Sequence, residues 1–300
     1  MSKSISSFFF PLSSFIPVNR TVKAIIRRAL VEDVGVRGDV TTAATVPQNQ
    51  KTTAAIIAKS AGVVAGQKVA AEVFKSLDKT IKYEECASDG DYVAKGTVIA
   101  MIKGKTAAIL TGERTALNLI GRCCGIATAT RAFAEALAGT NAKVCETRKT
   151  APGLRFLDKA AVRVGGGVNH RYALYDAFLI KENHVAAAGG IALAIKACRT
   201  SKAGGGKLRV MVEARNREEF LEALSAAPDR ILLDNMTPEQ IRECAELNRW
   251  SNSRKKPELE ATGGITLSNA RSYAETGVDY VSVGALTHSV TVMDLSLLIE

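Results

Sequence analysis

The sequence predicts an α/β protein in two parts, and three observations predict it. The first part mixes short strand-like runs with isolated helical ones. A long helical stretch, residues 111–139, then divides the chain. Beyond it, short β-branched runs alternate regularly with helical ones, the signature of parallel strands joined by right-handed crossovers. Six such strands fit an α/β barrel better than an open sheet. The first turn of this part also lacks the GxGxxG of a dinucleotide-binding sheet.

The elements follow in order. Ile25, Ile26, Ala29 and Leu30 fall on one face of a helix that ends near Glu32. The runs TTAAIIA from Thr52, GVVAG from Gly62, TIKYEEC from Thr80 and TVIAMI from Thr97 read as strands, with the helix QKVAAEVF between the second and third. Residues 111–139 read as two helices or one kinked helix, because GIA interrupts them. KVCET, AFLIK, LRVMVEA, RILLD, ELEAT and DYVSVG are the six strands of the second part.

Composition excludes several classes. The 300 residues are 47% hydrophobic and 23% charged, ordinary for a globular chain with a sizeable core. No uncharged run reaches the length of a membrane helix; the longest, residues 4–19, is diluted by Ser and Pro. Forty basic against thirty acidic residues give a net charge of +10, which points to an anionic partner. Aromatics are only 5%, so stacking platforms for single-stranded nucleic acid are not evident. Six cysteines without a CxxC pair read as free thiols of a reducing compartment, and three histidines argue against a Cys/His zinc site. The Ser/Phe-rich, acid-free residues 1–20 read as an arm whose Phe8, Phe9, Phe10 and Phe15 pack on the body or on a partner, or else as part of a targeting segment.

Nearly every strand of the second part ends in a charged or glycine element. In a barrel those ends converge on one mouth, where active sites lie. Arg148 and Lys149 follow KVCET, and Lys181 ends AFLIK. Glu213 and Asp234 end the next two strands; Thr262, Gly263 and Gly264 and then Gly284 and Ala285 end the last two. Between residues 148 and 184 lie seven Arg or Lys against three acids, including Arg171 beside His170. Planar arginines there suit carboxylates and phosphates. Glu213 and Asp234 suit a magnesium ion, general acid/base work, or simple ion pairing with nearby lysines. The two glycine loops suit a terminal phosphate. GKT at Gly104 is a decoy, lacking the first glycine of a P-loop, and the GGGK at Gly204 reads as a loop tip. The ligand so described is strongly anionic at both ends.

GERTALN from Gly112, ETRKTAPGLR from Glu146, GGGVNHR from Gly165, IKENH from Ile180, LLDNM from Leu232 and VSVGALTHS from Val281 resemble the quinolinate phosphoribosyltransferases. The resemblance runs from about Arg28 to the C-terminus. It implies an N-terminal α/β sandwich and a C-terminal open α/β barrel of the type II phosphoribosyltransferase kind. The expected boundaries are an arm at 1–20, the sandwich at 21–126 with residues 287–300 packing back on it, and the barrel at 127–286. The implied reaction takes quinolinate and phosphoribosyl pyrophosphate to nicotinate mononucleotide, pyrophosphate and carbon dioxide with Mg2+. By position, Arg148, His170 and Arg171 would hold the quinolinate carboxylates, helped by Lys149 and Lys181. Arg114 would reach into a partner's site, in a homodimer or multiple of dimers. Glu213 and Asp234 would hold the ribose hydroxyls and the metal; Thr262, Gly263, Gly264, Gly284 and Ala285 would seat the phosphate. Thr262 stands where the family often has serine. No nucleic acid and no membrane are expected as partners, and the cytoplasm is the expected compartment, with an organelle as the alternative.

Three rival readings remain at this stage: a relative of the same fold acting on nicotinate or another heterocycle, a phosphosugar-binding protein without catalysis, and a nucleic-acid binder suggested only by charge.

Overall fold

The computed structural model describes residues 15–204, 208–251 and 255–299. Phe8, Phe9 and Phe10 of the arm, and most of the GGGK tip, lie outside the described residues. In chain order the first elements are α1 (Arg20–Val34), α2 (Val40–Thr45), β1 (Lys51–Ala58), β2 (Gly62–Val63), α3 (Gln67–Leu77), β3 (Lys82–Glu85), β4 (Tyr92–Val93), β5 (Val98–Lys105) and α4 (Thr106–Ala136). Then come β6 (Lys143–Cys145), α5 (Arg155–Val164), β7 (Ala177–Ile180), α6 (Glu182–Ala188), α7 (Ile191–Thr200) and a 3-10 turn at Lys202–Gly204. The chain finishes with β8 (Arg209–Ala214), α8 (Arg217–Ser225), β9 (Arg230–Asp234), α9 (Pro238–Trp250), β10 (Glu258–Thr262), α10 (Ala270–Ala274), β11 (Tyr280–Ser282), α11 (Ala285–His288) and β12 (Leu295–Ile299).

These elements form two compact units. The first holds the described residues up to Arg131, Lys149–Gly167, and the chain from Ala285 on; the second holds Ala132–Arg148 and Val168–Gly284. Lys149–Gly167 thus groups with the first unit, although the sequence places it inside the barrel segment. The cause is α5, whose Phe156, Leu157, Ala160, Ala161, Val162 and Val164 join the core formed around α1, α3 and α4.

The first unit is built on a four-stranded antiparallel sheet in the order β12-β1-β5-β3. Ala54, Ile56, Ile102 and Leu297 point from it into the core, with Val69, Val73 and Phe74 of α3 opposite. The helix α1 starts where the Asn19 side chain accepts the Val22 amide at 3.0 Å, and it buries Val22, Ile25 and Ile26. The interrupted stretch around GIA is one helix, α4. Gly125 serves packing there: a Cβ on it would lie 2.1 Å from the Thr291 carbonyl oxygen, where the C-terminal segment crosses. Phe15 is partly exposed and lies under the Lys68 ammonium, 3.4 Å from its ring centroid.

The second unit is a six-stranded, all-parallel sheet in the order β6-β11-β10-β9-β8-β7. That order is the chain order wrapped into a ring and cut once, between β6 and β7, so the barrel is open at one seam. A single parallel bridge, Cys145 to Val168, lies on the free side of β6, two residues before His170. Inside the ring, Ala177, Met211 and Leu232 form a small apolar cluster with Leu179 against them. Beside it, at the same strand levels, the interior is ionic. Arg230 bonds Glu258 at 2.9 Å and Glu260 at 2.8 Å, and its guanidinium stacks 3.7 Å from the Tyr280 ring centroid. No described helix is long and apolar enough to cross a membrane.

Candidate active site

The carboxyl ends of β7, β8 and β9 carry Lys181, Glu213 and Asp234, and all three line one cavity of about 220 Å³. Register makes this so: Glu213 pairs with Leu232, and Asp234 pairs with Thr262 on the following strand. The Lys181 ammonium bonds the Glu213 carboxylate directly. Arg215 borders the same cavity and is held by Glu182 at 2.7 Å and Glu219 at 2.6 Å.

The seam supplies the arginines. Arg148 follows β6, and Arg171 follows the bridged segment on the other side of the gap. Both carry a buried Nε without a hydrogen-bond partner. Burial pulls the Arg171 pKa below the usual arginine value and repulsion from Arg148 adds to the effect, while Asp176 and Glu213 act in the opposite sense. Two guanidiniums that repel each other while their buried donors go unsatisfied make a poor resting arrangement and a good anion receptor. The loop itself is tight: Asp176 accepts the amides of Tyr172 at 2.6 Å and Ala173 at 3.0 Å, and Arg171 Nη1 donates to the Ala177 carbonyl at 3.0 Å.

His170 lies in the same loop, directly before Arg171. The side chain is buried. Its Nδ1 accepts the Arg171 amide at 2.7 Å, and its Nε2 faces Glu260 Oε1 at 3.5 Å. Glu146, fully buried beside it, accepts the His170 amide at 3.2 Å and the Asn169 side-chain amide at 3.0 Å.

The glycine loops after β10 and β11 stand at the same strand ends. Gly263 and Gly264 have φ of +96° and +61°, conformations that favour glycine. A Cβ on Gly263 would also meet Asn235 Oδ1 at 2.2 Å. Thr262 ends β10 at that loop, and Gly284 lies two residues past the end of β11. Arg114, Lys149 and Ala285 belong to the other unit. Arg114 and Lys149 are exposed there, and the Lys149 carbonyl accepts the Thr287 hydroxyl at 3.0 Å.

Sequence reasoning missed Glu146, Arg215, Arg230 and Glu260. The last was visible in principle, since Glu258 and Glu260 in ELEAT point to the same side of a strand whose other neighbours are apolar.

Two family models match the chain. The C-terminal domain of quinolinate phosphoribosyl transferase matches residues 126–298, and the N-terminal domain of the same family matches residues 39–124. The chain belongs to the quinolinate phosphoribosyl transferase family. A probable nicotinate-nucleotide pyrophosphorylase [carboxylating] of Bacillus subtilis is 43% identical over 277 residues, covering 92% of each chain. A relative in Oryza sativa, named as the chloroplastic nicotinate-nucleotide pyrophosphorylase [carboxylating], is 43% identical and covers 93% of this chain and 78% of its own. The solved nicotinate-nucleotide pyrophosphorylase of Francisella tularensis superposes with a TM-score of 0.87 at 38% identity, covering 95% of this chain and 98% of its own. The fold of this family member therefore agrees with that of the solved relative.

Among the described residues no group of three or more His, Cys, Asp or Glu could enclose a metal ion. Two carboxylates on one cavity nevertheless suit a hard cation that keeps waters and takes its remaining oxygens from substrate phosphates.

Proposed function

We propose that this chain transfers the phosphoribosyl group of phosphoribosyl pyrophosphate to quinolinate and decarboxylates the product, as a pentosyltransferase of pyridine nucleotide biosynthesis. The observation that carries the reading is the pair Arg148 and Arg171, each with a buried Nε that lacks a partner. A planar dicarboxylate satisfies both donors and relieves the repulsion between them. Nicotinate, with one carboxylate, leaves one of them unpaired.

In this reading Lys181 and Lys149 neutralise phosphate charge, and Glu213 and Asp234 hold the ribose hydroxyls. Thr262, Gly263, Gly264, Gly284 and Ala285 offer main-chain and hydroxyl donors to the terminal phosphate. As the bond from the sugar's anomeric carbon to pyrophosphate breaks, positive charge develops on the ribose, and Glu213 and Asp234 stabilise it. The pyridine nitrogen donates its lone pair to that carbon, and pyrophosphate leaves with the bonding electrons. The ring nitrogen is then cationic. Its positive charge stabilises the electron pair left on the neighbouring ring carbon when the adjacent carboxylate departs as carbon dioxide, and that carbon takes a proton to give nicotinate mononucleotide. Magnesium bound by Glu213 and Asp234, directly or through water, would supply charge neutralisation to the departing pyrophosphate. The chain's larger contribution is orientation, on the order of 7–11 kcal/mol in well-aligned cases.

Arg114 completes the site of a second copy, in a homodimer or multiple of dimers. The cytoplasm suits the six free cysteines. An organelle is the alternative, as for the rice relative named chloroplastic.

The test is direct. Protein, quinolinate, phosphoribosyl pyrophosphate and Mg2+ are mixed, and carbon dioxide and pyrophosphate are followed together, with nicotinate as a parallel acceptor. Equal release of both products from quinolinate is expected. Turnover of nicotinate alone, or pyrophosphate release without carbon dioxide, overturns the reading.

A further inference from the structure

Deep in the open barrel a row of contacts runs from the floor to the seam. It starts at Tyr280, whose ring carries the Arg230 guanidinium at 3.7 Å from its centroid. Arg230 is pinned a second time by Glu258, at 2.9 and 3.0 Å. Its Nη1 donates to Glu260 Oε2 at 2.8 Å. Glu260 is fully buried, and its other oxygen, Oε1, makes no hydrogen bond but lies 3.5 Å from His170 Nε2 as a charge contact. The opposite ring nitrogen, Nδ1, accepts the amide of Arg171 at 2.7 Å.

The direction of these bonds decides the state of the ring. An Nδ1 that accepts an N–H carries no proton, so the single proton of a neutral imidazole sits on Nε2, facing the carboxylate. A second proton, on Nδ1, would set two N–H groups against each other. Arg230 balances the Glu260 charge through its own bond to Oε2. The charged groups facing this row are Glu260, Glu258 and Arg230 from the strands, Glu146 at the His170 main chain, and Arg171 itself.

We propose that Glu260, held by Arg230, is a positioning residue that locks the His170 ring between the barrel interior and the Arg171 main chain, and so aims the Arg171 guanidinium at the acceptor's carboxylates. His170 then serves the acceptor through Arg171. The inference rests on the reading that Arg171 binds an acceptor carboxylate. Arg171 is fixed from the far side as well, by its own bond to the Ala177 carbonyl and by the Asp176 turn. Its angle is therefore set between two anchors, and Glu260 governs one of them.

The decisive experiment joins a spectroscopic and a kinetic readout on the full-length protein. The chain has three histidines, so imidazole nitrogen NMR is assignable by single substitutions. His170 is expected in the form protonated at Nε2 and bare at Nδ1; a ring protonated at Nδ1 overturns the proposal without any variant. Glu260→Gln offers one acceptor oxygen to two donors and sets an N–H against the other. It is expected to raise the quinolinate KM about tenfold or more while the phosphoribosyl pyrophosphate KM stays within about twofold. His170→Asn keeps an acceptor for the Arg171 amide but cannot reach Glu260, and it is expected to show the same selective rise should Glu260→Gln fail to fold. A lowered melting temperature with unchanged quinolinate KM, or equal rises in both KM values, makes Glu260 a merely structural residue and overturns the proposal. Arg171→Ala separates the two claims. If it weakens quinolinate binding and Glu260→Gln does not, positioning alone fails; if it leaves quinolinate binding unchanged, the acceptor reading fails and takes the positioning role with it.

Discussion

Arg122 grips the fully buried Asp158 with two parallel bonds, Nε to Oδ1 at 2.7 Å and Nη2 to Oδ2 at 2.8 Å. The same carboxylate accepts the Ala151 amide at 3.1 Å, and Arg122 also donates to the Thr287 carbonyl at 3.0 Å. The pair thus anchors the segment that follows Lys149 to the long helix α4. The Asp158 hydrogen bonds, more than simple charge attraction, raise the Arg122 pKa above its usual value against the opposing effect of burial.

Replacing Asp158 with Asn leaves a guanidinium facing a neutral amide that cannot accept two donors. Loss of one partner of a buried pair costs about 3–5 kcal/mol. Chemical denaturation of Asp158→Asn is expected to show a loss of that order. A change below about 1 kcal/mol would mean that the pair contributes little.

Stability should fall on the acid side for a reason that lies in the barrel floor. Burial raises the Glu258 pKa, but hydrogen bonds and charge from Arg209 and Arg230 together outweigh it and hold the carboxyl below its ordinary value. A group with a depressed folded pKa stabilises the fold above its unfolded pKa of about 4.3, and that stabilisation is lost as pH falls through the lower folded value. Glu258→Gln is expected to flatten the acid limb of a melting-temperature profile below about pH 5 and to leave a lower plateau near neutrality. An unchanged acid limb counts against this account.

Thiol chemistry should divide the cysteines sharply. Burial pushes the Cys124 thiol up to about 12 and that of Cys244 up to about 11. Cys123 and Cys145 are buried as well, whereas Cys86 is exposed and Cys198 lies between. Alkylation of the native protein read by mass spectrometry is expected to label Cys86 first, Cys198 more slowly, and the other four only on unfolding. Rapid native labelling of Cys123 or Cys124 would show that the first unit's core opens readily.

Site sharing between copies is open to complementation. An Arg114→Ala chain and a Lys149→Ala chain, each inactive, are mixed and allowed to exchange subunits. If Arg114 serves its neighbour and Lys149 serves its own chain, each mixed dimer holds one intact site, and about a quarter of wild-type activity returns from random pairing. No recovery, with exchange shown by mass spectrometry, would place both residues in one chain's site.

Much of the fold was legible because its signals are local. The six barrel strands are short β-branched runs bounded by helices, and each begins and ends within a few residues of its run. The third strand begins at Lys82 and not at Thr80, because Asp78 Oδ1 accepts the Thr80 amide at 2.8 Å and closes a turn there. The brief elements α2 and β4 went unread, being too short for periodicity to register. Gly125 suggested a break in α4 from the sequence; what it permits is close passage of another segment, which only coordinates reveal. At the site, Lys181, Glu213 and Asp234 were readable as strand ends. Glu260 and Arg230 were not, since their importance lies in pairing across strands.

The ladders of the barrel run round the ring from β6 to β7, and the slit between those two strands has no ladder to lose. A cylinder stitched all the way round can widen only by tearing a row of amide bonds. Here only the isolated Cys145–Val168 bridge lies beside that slit, so a change of bore there tears no ladder. Efforts to make this scaffold accept a bulkier ring would therefore begin at that slit.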